Sequence, residues 1–291
     1  MQHLEDVMTS QPITLPALPG MLARAVPTVV RKGQVDESLT SIRGIFVTQC
    51  EPEHISAFKA EFEGLVSDYP LTFFYLLAQR AHLAMMLDKQ FPWPILGMVH
   101  VANKMEWLGD YHPNLPLQLH VEIQIPERAA TRKRVRPMYI VEFIQQGHCI
   151  LRCESTYQVG GGNKASANRR MQSPSLELSQ WQQLDIWHLD QASGRRYARL
   201  SGDYNPIHLH PWLSRWFGFN QPIIHGMYSV ARIQADIERH FAKPVSSMDV
   251  VFKRPLALPN QAVSHIQAST AKLCVTDSRG EKSYLDGVFH L

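Results

Sequence analysis

Two stretches govern what this chain can fold into. "YPLTFFYLLAQRAHLAMML" (Tyr69–Leu87) is apolar on nearly every face over a length that predicts a helix buried on most sides. "HGMYSVARIQADIERH" (His225–His240) places Met227, Val230, Ile233 and Ile237 on one helical face and Arg232, Asp236 and Arg239 opposite. Strand-like segments follow each. After the first, "LQLHVEIQI" (Leu117–Ile125) alternates strictly between apolar and polar residues, the pattern of a half-buried strand. "MYIVEFIQQGHCILRCESTY" (Met138–Tyr157) then predicts two strands joined by a tight turn near Gln146-Gly147. After the second come Met248–Lys253, Val263–Ser269, Lys272–Thr276 and the closing "YLDGVFHL". A long helix followed by strands linked through short turns, twice over, predicts two α+β modules, each with an antiparallel sheet wrapped round its helix.

The run rich in Gly, Ser, Asn and Arg after Gly160 divides them. The expected organisation is a first module over 1–160, a linker over 161–178 and a second module over 179–291. With 45% hydrophobic and 19% charged residues there is ample material for two cores. A formal net charge of +3 implies no general affinity for nucleic acid. The basic run "TRKRVR" (Thr131–Arg136) reads as a solvated loop, with a docking patch for an anionic ligand or carrier as the alternative. No uninterrupted apolar run suits a membrane span, and the N-terminus has no basic start followed by an apolar stretch. Cys50, Cys149, Cys153 and Cys274 are too few and scattered for a disulfide scaffold or a zinc site. The expectation is a reduced, cytoplasmic protein.

"SGDYNPIHLH" (Ser201–His210) holds the densest chemistry. Asp203 follows a helix end at Ser201-Gly202, and Pro206 restricts Asn205 to extended backbone on the way to His208. A carboxylate and an imidazole so spaced can converge on one small molecule such as water. After a short helix (Pro211–Phe217) and a stop at Gly218, "HG" opens the long helix, where first-turn N–H groups are unpaired and carry partial positive charge. Gly226 there leaves room for a ligand carbonyl to approach its N–H. Such a donor suits a reaction that builds negative charge on oxygen.

The whole run from Tyr197 to Met227 resembles the MaoC-like, (R)-specific enoyl-CoA hydratases of the hotdog fold. Ser201, Gly202, Asp203, Asn205, Pro206 and His208 match that signature, as do Gly218, Phe219, Pro222, Ile223, His225, Gly226 and Met227. The resemblance implies an α+β double hotdog acting as a hydro-lyase on trans-2-enoyl thioesters of coenzyme A or acyl-carrier protein. Asp203 and His208 would hold and activate water, Gly226 N–H would stabilise the thioester enolate, and Asn205, Ser201 and His225 would contact or orient the substrate. No cofactor or metal is implied, and a homodimer is compatible with it. Two departures stand out: His210 where the family usually has Asp, and Leu258-Pro259-Asn260 where a Gly-Asp is frequent. In the first half "QCEPEHISAFKAEF" retains only His54, so that half resembles the non-catalytic hotdog of two-hotdog members, with a binding or scaffold role. Arg195, Arg196, Lys253 and Arg254 are the candidates for holding coenzyme A phosphates.

Other readings of the same residues exist. Asp203, His208, His210 and His225 include ligand types that suit zinc or iron, but a metal site would leave the Asn-Pro turn and the Gly226 helix opening unexplained. A hotdog thioesterase would aim its water at the carbonyl carbon. A non-catalytic binder of acyl thioesters would have no use for the Asp203/His208 pair.

Overall fold

The computed structural model describes residues 12–36, 38–96, 98–127, 134–160, 178–216 and 218–291. The expected linker lies outside these residues except for Leu178, as do Thr131–Lys133 of the basic run. The described chain forms two compact units. One comprises the chain up to Pro52 and Phe74–Gly160, and the other Glu53–Phe73 and the chain after Gly160. The segment Glu53–Phe73 precedes the first long helix in sequence, yet it is built into the second unit.

In chain order the elements before Gly160 are β1 (Ile13–Thr14), α1 (Leu18–Ala25), β2 (Ser41–Thr48), α2 (Pro52–Glu61), α3 (Phe74–Met86), β3 (Val99–Trp107), β4 (Leu117–Gln124), β5 (Arg134–Val135), β6 (Met138–Gln145) and β7 (His148–Gly160). The first unit's sheet runs β1-β2-β4-β6-β7-β3, antiparallel except for β1 on β2, with β5 paired to β7. Strict alternation in β4 places Leu117, Leu119, Val121 and Ile123 on a buried face. Register continues that face through Val121, Val141, Cys153 and Met105 on four successive strands. The β6–β7 turn has both central residues at positive φ, Gln146 at 49° and Gly147 at 79°, the geometry that matches strand twist in a two-residue hairpin.

Helix α3 is shorter than its apolar run because Leu71–Phe73 forms a separate 3₁₀ turn. It is buried on most sides, as the composition predicts, and contacts β2 and β4. His82, midway along it, is fully buried, and neither ring nitrogen has a hydrogen-bond partner among the described residues. The rings of Tyr139 and Tyr157 surround it, at 5.0 and 6.0 Å between centroids.

The second unit adds β8 (Gln182–Leu189), α4 (Ser193–Ser201), α5 (Pro211–Trp216), α6 (Gly226–Phe241), β9 (Ser247–Phe252), β10 (Asn260–Gln267), β11 (Lys272–Asp277) and β12 (Ser283–His290). Its sheet runs β9-β12-β11-β10-β8, antiparallel throughout. Met227, Val230, Ile233 and Ile237 of α6 are buried, as their spacing predicts.

The expected polar face of α6 needs correction, because Asp236 is also buried. It accepts hydrogen bonds from Trp187 Nε1 (2.8 Å), Ser264 Oγ (2.7 Å) and Arg239 (2.9 Å). Elsewhere on the helix Gln234 Oε1 accepts from Thr72 N–H and hydroxyl (3.0 and 2.6 Å), and Glu238 from the N–H groups of Val66, Ser67 and Val245. A buried polar group needs such partners to be tolerated. The helix therefore binds β-sheet residues through Asp236 and the Glu53–Phe73 segment through Gln234 and Glu238. The four cysteines are free thiols, Cys153 in the first core and Cys149 half-buried beside it. No helix among the described residues is long and apolar enough to cross a membrane.

Candidate active site

The chemistry begins where α4 ends. Gly202 N–H donates to Ala198 O (2.8 Å), the Ser201 hydroxyl to Tyr197 O (2.8 Å), and His54 Nε2–H to Leu200 O (2.7 Å). Gly202 has φ 74° and ψ 4°, the left-handed conformation that terminates helices and favours glycine. The chain turns there and Asp203 leaves the helix axis. Ser201 Oγ also accepts from Asp203 N–H at 3.2 Å, and Asp203 Oδ1 accepts from Asn205 N–H at 3.1 Å. Asn205, extended at φ −57° and ψ 126° before Pro206, caps a single 3₁₀ turn, its Oδ1 accepting from Ile207 N–H at 3.4 Å. That turn delivers His208.

The Nδ1–H of His208 donates to Ile223 O at 2.8 Å. This bond fixes the tautomer and leaves the lone pair on Nε2. Ile223 is itself held by its N–H to Ile207 O (3.1 Å), and its neighbours are clamped by Ile224 N–H to Leu256 O and Leu258 N–H to Pro222 O (both 2.8 Å). The departure from the family pattern at Leu258-Pro259-Asn260 therefore begins on the loop bracing this stretch, where Leu258-Pro259 is a cis peptide.

His225 caps α6 by position, but its side chain makes no capping bond. Its Nε2–H donates instead to Asp203 O at 2.9 Å, and its buried Nδ1 has no hydrogen-bond partner among the described residues. The His208 and His225 rings stack, and the edge of Tyr197 meets His225. Side-chain donor atoms of Asp203, His208 and His225 lie within 4.8 Å of one another. Burial pulls the His208 pKa below its ordinary value, against the Asp203 carboxylate and the bond to Ile223. Burial and then the His208 ring pull His225 down to about 3. Both imidazoles are therefore neutral near pH 7.

Gly226 opens α6, and its N–H is one of the first-turn groups that a helix leaves unpaired. A Cβ added there would lie 2.8–3.1 Å from the ring of Phe252 on β9. The glycine is thus also demanded by packing, a constraint that the reading of Gly226 as a clear approach for ligand did not contain.

The other predicted residues are distributed as follows. Ser201 is buried with its hydroxyl engaged inside the turn, so it shapes the site from behind. His210 is exposed and accepts from Trp212 N–H at 3.2 Å, the work of a cap at the start of α5. Arg195 donates to Leu209 O (3.1 Å) and lines an open groove of about 540 Å³ with Gln191, Leu209, His210, Pro211 and Pro222. Arg196 is held by Asp190 at 2.9 and 3.0 Å. Lys253 pairs with Asp286 (3.4 Å), and Arg254 donates to Ser283 O (3.2 Å). The residues that sequence reasoning did not place here are His54, Tyr197 and Phe252. Only His54 had been singled out, as a remnant in the other half.

Three donors so close invite comparison with a metal centre. The His208 and His225 ring planes are only 26° apart with centroids 3.6 Å apart. An ion shared at normal metal–nitrogen distances, about 2.0–2.1 Å for zinc, would sit well out of at least one ring plane. His210, the fourth ligand of that reading, is engaged at α5. The cluster fits water and proton transfer better than a cation.

Residues 169–284 match the family model of the MaoC-like domain. Over 258 residues the chain is 25% identical to 3-hydroxyacyl-thioester dehydratase X of Mycobacterium tuberculosis, covering 87% of this chain and 88% of that protein. The crystal structure of HtdX of Mycobacterium tuberculosis aligns with a TM-score of 0.66 at 21% identity, over 86% of this chain and 98% of that one. A conserved Mycobacterium tuberculosis protein described as a double hotdog aligns with a TM-score of 0.50 at 11% identity, over 96% of this chain and 92% of that one. The architecture is that of an α+β double hotdog.

Proposed function

We propose that this chain, whose residues 169–284 match the family model of the MaoC-like domain, is a hydro-lyase that interconverts trans-2-enoyl and (R)-3-hydroxyacyl thioesters. The observation that carries the reading is the convergence of Asp203 and His208 beside the first turn of α6, with the His208 tautomer fixed by Ile223 O. A relative over most of the chain, a 3-hydroxyacyl-thioester dehydratase, supports the reaction class.

In the hydration direction, neutral His208 offers Nε2 to a water held between it and Asp203. The water oxygen bonds to the β-carbon as a proton leaves for the pair. Electron density moves onto the thioester oxygen, where Gly226 N–H and the positive end of α6 stabilise it. A proton from the pair then goes to the α-carbon, so the site ends as it began. Asn205 holds the turn that presents both groups, and His225 fixes Asp203 through its backbone carbonyl. The exposed Arg195 at the edge of the groove is the best placed of the four basic candidates to meet a phosphate. The first unit, with no acid–base cluster of this kind among its described residues, serves binding or scaffolding.

The test follows the enoyl-thioester absorbance band with crotonyl-CoA, longer enoyl-CoAs and the matching carrier-protein thioesters, with chiral analysis of the product. Loss of the band with (R)-3-hydroxyacyl product is expected. Release of free thiol in its place would support a thioesterase instead.

A further inference from the structure

The Glu53–Phe73 segment touches both parts of the machinery. We infer that His54 is a positioning residue that sets the Asp203 turn in register with α6, and that the segment carrying it acts as a brace between the two. The inference rests on the reading of Asp203, His208 and Gly226 given above.

His54 reaches the site from α2, and its bond to Leu200 O at 2.7 Å is the shortest of the three that close the end of α4. A carbonyl only accepts, so His54 Nε2 carries the hydrogen. Leu200 O lies three residues before Asp203, so this bond fixes the point from which the catalytic arm leaves. The other two bonds come from Ser201 and Gly202 within the same turn. Of these three bonds only that of His54 comes from another part of the unit, while His225 holds the next stretch of the turn through Asp203 O.

The brace is equally firm at its other end. The His54 ring meets the edge of Phe73 at 5.2 Å between centroids. Phe73 closes the 3₁₀ turn whose Thr72 donates twice to Gln234 of α6. A little earlier, Val66 and Ser67 N–H donate to Glu238 of the same helix at 2.8 and 2.9 Å. Phe62 lies between, with its ring against Tyr228 of α6 (5.2 Å) and Tyr197 of α4 (6.1 Å). From α6 the linkage runs through Gln234, Thr72, Phe73 and His54 to Leu200 O. The oxyanion donor sits at the start of that helix and the acid–base pair follows that carbonyl. Relative placement of such groups governs rate, and an error of about 1 Å can cost about 10²-fold.

The test compares His54→Leu, which lacks the donor, with His54→Gln, whose amide nitrogen has similar reach. With an enoyl-CoA substrate, His54→Leu should lower kcat at least about tenfold while KM stays within about twofold. His54→Gln should recover most of the loss. Hydrogen exchange without substrate provides a readout independent of turnover: the peptide spanning Gly202–His208 should exchange faster in His54→Leu than in the parent or His54→Gln, with β11 unchanged. Unchanged exchange and turnover in His54→Leu would overturn the inference, as would equal defects in both variants. A parent without hydratase activity would refute the proposed reaction, while the exchange comparison would still decide the brace.

Discussion

The imidazoles of His208 and His225 lie face to face, 3.6 Å between centroids and 26° from parallel. Each donates its N–H to a backbone carbonyl, of Ile223 and of Asp203 respectively. Charging either ring would set a positive charge against the other inside a buried site, where such charge is costly. Burial therefore keeps His208 in the form that can accept a proton, and the stack sets against it the ring that holds Asp203 O.

One expectation concerns pH. In the proposed mechanism neutral His208 is the working form, and burial pulls its pKa below the ordinary 6.5. The acid limb of a kcat/KM profile for an enoyl thioester should therefore have an apparent pKa below 6.5. A limb centred at or above the free-imidazole value would contradict the burial argument.

Asp203→Asn and His208→Ala should each reduce turnover by about 10² or more, the usual scale for acid–base groups. The double variant should be little worse than either single one, because in the proposed mechanism both groups hold one water. Steady-state kinetics on the three proteins decides this. Near-normal activity in either single variant would remove that residue from the mechanism.

The proposed oxyanion role of Gly226 has to be separated from its packing against Phe252. Gly226→Ala alone should lose activity and stability through the Cβ–ring clash. Combining it with Phe252→Leu should restore folding and much of the activity. Gly226→Pro with Phe252→Leu replaces the N–H with the proline ring, which suits a first helical turn. That pair should differ by about 10²–10³ in rate, the worth of an oxyanion donor. Equal rates would show that the α6 amide is not the donor.

His82 gives a prediction about stability. Burial holds its pKa down to about 3 in the folded protein, against 6.5 ordinarily. The unfolded chain therefore takes up the proton first. The contribution to stability is complete above pH 6.5 and declines as pH falls toward 3, at about 1.4 kcal/mol per pH unit. His82→Leu, of similar volume, removes that slope. It also removes two buried nitrogens that have no hydrogen-bond partner among the described residues, each costing about 1–3 kcal/mol. Thermal melts should show the variant more stable at neutral pH, with a wider margin in mild acid.

Treatment with a strong chelator followed by desalting should leave activity unchanged, given the near-parallel rings of the only Asp/His cluster found among the described residues. Activity lost on chelation and restored by zinc would reverse that conclusion.

Much of this site was legible because its geometry is local. Gly202, Asp203, Asn205, Pro206 and His208 shape one another over a few residues, so their spacing already describes a turn. The strands β4, β6 and β7 were legible for the same reason, through alternation and a Gln-Gly turn. Pairings over long sequence separations were not. Asp236 looks like a solvent-facing residue until Trp187 and Ser264, 49 and 28 residues away, are seen to satisfy it. His54 looks like a remnant in the wrong half until Leu200 O, 146 residues on, is found beside it. The pairing of Arg196 with Asp190 lies only six residues apart, and the helix start between them made it readable in principle.

The membership of Glu53–Phe73 in the second unit also has a consequence for biosynthesis. Ser67 leaves the ribosome 171 residues ahead of the Glu238 carboxylate that receives its N–H. Phe58, Phe62 and Phe73, all fully buried in the finished protein, are made long before α6 exists to cover them. The nascent chain carries this aromatic segment without α6 while the rest of the first unit, Phe74–Gly160, is synthesised. A chaperone that attends this protein should find its longest-lived client surface there, and a message truncated between Phe73 and Glu238 should yield a product that aggregates through residues 53–73.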